Sequence, residues 1–145
     1  VGKGNSAYQI ARYGTLSSIV DFDLRQNGRL QVTIQGDAKF HIEALSIAED
    51  ELVTGQVSII ASEVSAPVPA DKQHLVELLQ TLAQHASIQP LGLELDLVRA
   101  DQVGGRLVEL LPNSNDFKQK MLELNDPLLR LEEIESQLLA LQQSE

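Results

Sequence analysis

Ser114 and Lys118 are the residue pair with the clearest capacity for covalent chemistry, since a hydroxyl and an amine lie four positions apart. A Lys amine that takes the proton of a Ser hydroxyl creates the nucleophile of one class of peptidases. Ser114 is, however, followed by Asn115 and Asp116, a setting typical of a helix N-cap, where the hydroxyl accepts backbone N–H groups. We therefore predict a helix cap and no catalytic residue here.

Metal ligation is the second chemistry to consider, and the sequence contains three histidines, His41, His74 and His85. His74 and His85 are 11 residues apart. On one helix that spacing is about three turns, too far for two ligands of one ion. The acidic run 49–51 falls in a predicted turn and lacks the spacing of a calcium loop. We predict no metal site.

The sequence contains no cofactor-binding motif either. No segment has the Gly-x4-Gly-Lys-Ser/Thr pattern that cradles nucleotide phosphates, and we interpret the Gly-rich residues 1–6 as a flexible leader. The chain has no cysteine, which excludes disulfides, thiol catalysis and Cys-based zinc sites. That composition fits a reducing compartment, and we expect a cytoplasmic protein without a cofactor.

The charge balance limits the kinds of partner. The formal net charge is −10, whereas nucleic-acid binding and docking on anionic membranes are both driven by cations. No apolar run reaches the ~20 residues of a membrane span. We expect neither a nucleic-acid nor a membrane partner. Hydrophobic residues make up 43% and aromatic residues 3%, so the core must consist mainly of Leu, Ile, Val and Ala.

The elements that position these residues differ between the two halves of the chain. In the first half, Leu30, Val32 and Ile34 alternate with polar residues, which predicts a half-buried antiparallel strand. Asn27-Gly28 is a strong hairpin signal, and Gly36-Asp37 predicts a second turn. The predicted meander has four strands, at about 15–22, 30–35, 40–44 and 52–61.

The second half has a helical period. Pro67 and Pro69 mark the change, which predicts a β-rich subdomain at 1–66 and an α-helical subdomain at 67–145. Leucines at 75, 78, 79 and 82 form one stripe, with Asp71 as the predicted N-cap. Further helices are predicted at 101–111, at 115–124 and from Asp126-Pro127 onwards.

Charged and apolar residues on these helices predict specific contacts. Arg106 and Arg130 each have an acidic residue three positions on, and we predict ion pairs with Glu109 and Glu133. The last helix carries a narrow apolar seam of Leu131, Ile134, Leu138 and Leu141. Such a seam packs on the preceding helices or on another chain, so an oligomerisation or adaptor module is the alternative hypothesis for function.

Three blocks of sequence resemble the Lon protease N-terminal domain family, in particular its small bacterial stand-alone members. The blocks, which cover residues 14–135, are Gly14-Thr15-Leu16 through Phe40-His41-Ile42, then Arg106-Leu107 with 109–112, then Lys118-Gln119 through Arg130-Leu131-Glu132. Lys39 stands where the family usually has Arg, and Gly104-Gly105 should weaken a helix by up to about 1 kcal/mol per Gly. The family's usual opening, an LFPL motif with about two earlier strands and a helix, is not found here.

The resemblance implies an α+β fold, a PUA-like antiparallel β-barrel or meander followed by a C-terminal helical bundle. It also implies a non-catalytic domain that binds unfolded or exposed polypeptide segments or supports assembly. Because the family's earlier strands are not found here, a homo-oligomer in which another copy supplies the missing pairing edge is a further expectation. The alternating residues Leu91, Leu93, Leu95 and Leu97 are interpreted either as plain core packing, the preferred interpretation, or as a binding surface where barrel and bundle meet, since clefts between subdomains commonly bind ligands. Their segment is extended, a loop between helices, or the entry to a helix. Tyr8 and Tyr13 are either contacts at the rim of that surface or packing residues.

Overall fold

The computed structural model describes residues 10–142, which divide into two compact units, one ending at Ser62 and the other beginning at Glu63. The strands lie in the first unit and the helices in the second, so the predicted α+β class is confirmed. The elements are β1 (Tyr13–Leu24), β2 (Leu30–Ile47), β3 (Val53–Ile59), α1 (Gln73–Ala83), α2 (Ala100–Leu110), α3 (Asn115–Glu123) and α4 (Pro127–Gln142), with 3-10 turns at Ala70–Lys72 and Gln89–Leu91.

The three strands form one antiparallel sheet in the order β1-β2-β3. The predicted Asn-Gly hairpin joins β1 to β2. Gly28 has a φ of 74°, a conformation that a residue without Cβ adopts freely. The Arg25 N–H donates to the Arg29 carbonyl at 2.9 Å and closes the turn. Within the described residues the sheet does not close on itself. Of the barrel implied by the resemblance, the described residues therefore form three strands.

The predicted turn at Gly36-Asp37 is wrong, because β2 runs through it without interruption. Gly36 pairs with Ser17 in the ladder, and the register shifts between Ser17 and Thr15. A Cβ at Gly36 would lie 3.2 Å from the Thr15 methyl carbon. Gly36 therefore allows the two strands to approach closely at the register irregularity, and it does not reverse the chain. The two strands predicted at 30–35 and 40–44 are therefore one, and the meander has three strands within residues 10–142.

The helical unit has a continuous apolar core. The predicted stripe of α1 is confirmed, with Leu75 and Leu79 fully buried and Leu78 and Leu82 packed beside them. Its partners come from every other helix. The buried members of the core are Leu75, Val76, Leu79, Ala100, Val103, Leu107, Leu111, Met121, Leu131 and Ile134.

Helix caps agree with the sequence at two of three positions. The Ser114 hydroxyl accepts the Phe117 N–H at 3.2 Å and begins α3. The Asp126 carboxylate accepts the N–H groups of Leu128 and Leu129 at 3.0 and 3.1 Å, at the start of α4. The prediction for Asp71 is wrong, since this residue lies in the 3-10 turn Ala70–Lys72. A bond from the Lys72 N–H to the Pro69 carbonyl forms that turn before α1 begins.

The glycine pair in α2 has a structural reason that the sequence does not show. Gly104 is buried, and a Cβ there would lie 3.3 Å from Cδ of Arg130 and 3.4 Å from a Leu131 methyl carbon. The missing side chain thus lets α4 approach α2 closely. A Cβ at Gly105 would meet nothing within 4 Å. At Gly104, close helix packing outweighs the low helix propensity of glycine. At Gly105, no neighbouring atom requires a glycine.

Candidate functional site

The pair Ser114 and Lys118 is not arranged for catalysis. Ser114 uses its hydroxyl as the α3 cap, and the Lys118 ammonium donates to the Glu109 carbonyl at 3.1 Å. Each group therefore satisfies a helix terminus, where backbone N–H and C=O groups lack helical partners. The Arg106–Glu109 ion pair predicted beside them is confirmed at 2.8 Å.

Arg130 is the buried charged residue of the described chain, with 5% of its surface exposed. Its guanidinium forms a two-pronged ion pair with Glu63, one arm of which measures 2.7 Å. It also donates to the carbonyls of Met121, at 3.1 Å, and Leu124. The predicted pair with Glu133 is wrong, since Arg130 lies on the buried side of α4, and Glu133 accepts from Lys120 at 2.7 Å instead.

Histidine and carboxylate groups do not converge into a metal site anywhere in residues 10–142. Nε2 of His74 lies 3.0 Å from Glu135, which also pairs with Lys72. These contacts join the start of α1 to α4. Glu133 and Glu135 of the last helix thus form ion pairs with residues of the preceding elements.

A group of polar side chains that the sequence analysis missed lies on β2 and β3. The Ser58 hydroxyl donates to a Glu43 carboxylate oxygen at 2.6 Å, and Nδ1 of His41 lies 3.3 Å from the same oxygen. The Tyr13 ring packs edge-on against His41, with centroids 5.0 Å apart. The hydrogen bond from Ser58, and then that of His41, lowers the pKa of Glu43 from its ordinary value.

This arrangement contains the residue types of a hydrolase triad but not its connectivity. A Ser nucleophile needs a base that accepts its proton, usually an imidazole oriented by the acid. Here both Ser58 and His41 contact the acid, and Glu43, with its lowered pKa, is a poor proton acceptor. Glu43 falls at an irregularity between Ile42 and Ala44, so the register that brings it to Ser58 has no signal in the sequence.

The most unusual surface of the first unit is one face of the β1–β2 hairpin. Cross-strand partners lie on the same face of a sheet, and three consecutive apolar pairs do so here. The six residues, which we call the hairpin face, are Ile19 with Ile34, Phe22 with Val32 and Leu24 with Leu30. Their exposed fractions run from 46% to 72%. Among the described residues, therefore, the apolar side chains of the strand predicted to be half-buried are exposed.

The opposite face of the same hairpin is polar. Its cross-strand pairs are Ser18 with Gln35, Asp21 with Thr33 and Asp23 with Gln31. The paired residues of the ribbon thus separate apolar from polar side chains over this stretch, with Val20 left out of the pairing at the irregularity between Ile19 and Asp21. Further along the sheet β2 and β3 form apolar pairs of their own, such as Ile42 with Val57, where Ile42 is buried.

The leucines predicted as a binding surface are not gathered into one exposed patch. Leu91 ends a 3-10 turn and is 64% exposed, and Gly92, with a φ of 58°, turns the chain into a loop rather than a strand. Leu93 is half-buried, and Leu95 and Leu97 pack against the helical core. Tyr13 lies in β1 against His41. Tyr8 falls outside the described residues.

The last helix uses its predicted seam within its own unit. Leu131 and Ile134 are fully buried and Leu138 packs partly against the same core, whereas Leu141 is exposed. No helix among residues 10–142 is long and apolar enough to cross a bilayer.

Comparison with solved structures identifies the class of protein that this fold is similar to. A crystal structure of a Lon N-terminal domain protein from Xanthomonas campestris matches with a TM-score of 0.70 and 31% identity, over 90% of this chain and 68% of that one. The N-terminal domain of a Mycobacterium avium complex Lon protease matches with a TM-score of 0.55 and 15% identity, over 85% of this chain and 67% of that one. The second likeness concerns the fold alone.

The particular family follows from the sequence. The family model of the ATP-dependent protease La (LON) substrate-binding domain matches residues 3–140. The chain belongs to this family, whose domain is a non-catalytic part of the protease, and the predicted resemblance is confirmed. No curated protein matches the chain.

Proposed function

We propose that this domain binds exposed apolar segments of other polypeptides and that the hairpin face is the surface on which they bind. The observation that carries the proposal is the separation of six exposed apolar side chains from the polar side chains paired on the opposite face of one hairpin. Soluble proteins rarely leave large contiguous apolar patches in water unless the patch contacts something. The family of substrate-binding domains supplies the class of partner.

Apolar burial suits a partner of variable sequence. It contributes roughly 25 cal/mol per Å² removed from water and has no directional requirement. A flat face of branched and aromatic side chains therefore accepts many apolar segments without reading one sequence. The net charge of −10 disfavours anionic partners, so nucleic acid and anionic membranes stay outside the proposed set.

Binding without chemistry is the second part of the proposal. Ser114, Lys118 and Ser58 all use their polar groups in structural hydrogen bonds. We propose that the domain performs no reaction, needs no cofactor and works in the bacterial cytoplasm, as the cysteine-free composition suggested.

The alternative, an oligomerisation module acting through the C-terminal helices, loses its main support. The seam that motivated it is buried inside one chain at Leu131 and Ile134. A helix whose apolar side already packs on its own unit has little need of a second chain. Polypeptide binding is therefore the function that we retain.

Titration of an unstructured, fluorescently labelled peptide rich in Leu, Val and Phe tests the proposal. We expect Phe22→Ser combined with Ile34→Ser to weaken binding about tenfold or more, which corresponds to the loss of about 1.4 kcal/mol. The matched control is Thr33→Ser with Gln35→Ser, on the polar face of the same hairpin, and it should bind normally. Circular dichroism checks that each variant is folded.

Leu91→Ser serves as the competing variant. It removes the exposed leucine of the surface predicted from sequence, where Leu93, Leu95 and Leu97 are more buried. Loss of binding in Leu91→Ser, with normal binding in the hairpin-face variant, would move the site to this loop. Equal binding by all variants would remove both surfaces from consideration.

A further inference from the structure

The tip of the β1–β2 hairpin holds the one Asn-Gly pair of the chain, Asn27-Gly28. Residues 26–28 connect Arg25 to Arg29, and the Arg25 N–H donates to the Arg29 carbonyl across the base of this loop. Gly28 adopts the left-handed conformation that is typical of the last position of a three-residue hairpin loop. The turn therefore determines which groups surround the Asn27 amide.

Two hydrogen bonds of the turn involve the atoms that react when an asparagine loses its amide group. The Arg29 N–H donates to Oδ1 of Asn27 at 3.0 Å, so a donor is already placed at the oxygen on which negative charge develops during attack on Cγ. The Gly28 N–H donates to the Arg25 carbonyl at 2.9 Å, and the Gly28 nitrogen is the potential nucleophile. It is released when the turn opens locally, which costs far less than global unfolding.

We propose that Asn27 is a site of self-modification by deamidation. The Gly28 nitrogen gives its proton to a base in the solvent and forms a bond to Cγ of Asn27. The Cγ–Nδ2 bond then breaks, and the amide nitrogen takes up a proton and leaves as ammonia. The product is a five-membered cyclic imide. Water, the only reactant consumed, opens this ring at either carbonyl. The result is aspartate or, where the backbone is rerouted through Cβ and Cγ, isoaspartate.

The other asparagines among the described residues lack this combination of groups. Asn113, Asn115 and Asn125 are followed by Ser or Asp, and a Cβ hinders the close approach of the next nitrogen to Cγ in a way that glycine does not. The amide nitrogen of Asn113 is also buried, and Asn115 lies in α3, where the helical backbone restrains it. Position 27 should therefore react first.

The two products differ in their effect on the hairpin. Aspartate keeps the ordinary backbone and offers a carboxylate oxygen to the same Arg29 N–H. Isoaspartate adds an atom to the backbone of the loop, and the length of a hairpin loop determines the register of its strands. The nearest pair is Leu24 with Leu30, which belongs to the hairpin face. Isoaspartate should therefore disturb this pair and weaken polypeptide binding, a consequence that rests on the proposed function.

Timed incubation of the folded chain at mildly alkaline pH, followed by peptide mass spectrometry, tests the modification site. We expect position 27 to convert at least about tenfold faster than Asn113, Asn115 or Asn125, and faster as the pH rises, because the nucleophile is a deprotonated nitrogen. Asn27→Ser is the control, since it keeps a residue favoured in turns but has no amide to lose. An Asn27 that stays unchanged in the folded protein would overturn the proposal, whether or not the chain converts when unfolded in urea.

Comparison of the aged protein with freshly prepared Asn27→Asp separates the effect of charge from that of the backbone. Both carry a carboxylate at position 27, but the aged protein also contains isoaspartate. NMR contacts between Leu24 and Leu30 should weaken in the aged protein and persist in Asn27→Asp and in aged Asn27→Ser. The apolar peptide should bind the aged protein several-fold more weakly than either variant.

The outcomes of this comparison distinguish the inference from the proposed function. Unchanged Leu24–Leu30 contacts in a sample that mass spectrometry shows to contain isoaspartate would overturn the effect on the hairpin. Lost contacts with normal peptide binding would instead remove the hairpin face as the binding surface and leave the modification site intact.

Discussion

Arg130 connects segments that are distant in sequence through one side chain. It pairs with Glu63, 67 positions earlier, and donates to the carbonyls of Met121 and Leu124 at the end of α3. Removing one partner of such a buried pair typically costs about 3–5 kcal/mol, because the other charge is left without compensation. Local spacing suggested Glu133 instead. A contact over 67 positions has no local signal, which is why the sequence could not reveal it.

Glu43 gives a prediction about pH at the same scale. Its pKa is lowered first by the Ser58 hydrogen bond and then by His41. A carboxyl group whose pKa is lower in the folded than in the unfolded state stabilises the fold above its unfolded pKa. That contribution disappears as the pH falls through its folded pKa. We expect Ser58→Ala to raise the pKa of Glu43, as followed by carboxyl-carbon NMR titration.

The control for this pKa prediction is Thr54→Ala. Thr54 lies on the same strand as Ser58, and its hydroxyl bonds to the Ser46 carbonyl. Its removal should leave the Glu43 titration unchanged. A Glu43 titration in Ser58→Ala that coincides with that of the unmodified protein would refute the role of the Ser58 hydroxyl.

Helices and strands differ in how well they could be predicted from the sequence. The stripe of α1 and the caps at Ser114 and Asp126 depend on residues a few positions apart, so both could be predicted. The continuous β2 could not, since Gly36-Asp37 has the composition of a turn, and only the neighbouring β1 determines its conformation. The alternation on β2 was predicted correctly. Its exposure was not, because alternation shows which residues share a face but not what covers that face.

The glycine pair of α2 provides a prediction for one element. Gly105→Ala adds a methyl group in open space and should stabilise the protein by about 0.5–1 kcal/mol through helix propensity. Gly104→Ala gains the same propensity but pushes against Arg130 and Leu131 across the helix crossing. We therefore expect Gly104→Ala to be clearly less stable than Gly105→Ala in urea denaturation. Equal stabilities would mean that α4 moves to accommodate the added methyl group at residue 104 without loss of stability.

The two units differ greatly in how much apolar surface they bury. Every member of the buried core lies in the helical unit, and Ile42 is the single buried apolar residue of the sheet unit within the described chain. Hydrophobic burial is the dominant favourable contribution to folding. The capacity for independent folding should therefore be unequal between the units.

This inequality predicts the behaviour of fragments. A fragment of residues 63–142 keeps the core and the Glu63–Arg130 pair, and we expect a helical circular dichroism spectrum with a cooperative thermal transition. A fragment of residues 10–62 lacks such a core and should show no cooperative transition. Cooperative unfolding of the sheet fragment alone, or none in the helical fragment, would contradict this expectation.

The hairpin face also creates a conflict between the solubility of the domain and its proposed binding of polypeptides. Lysine or glutamate in place of Phe22 or Leu24 would make concentrated samples easier to keep in solution. The same substitution would remove part of the apolar surface on which a polypeptide segment is proposed to bind. A version of this domain optimised for expression by surface charge would therefore be well behaved and inert, so screening of improved variants has to measure peptide capture alongside yield.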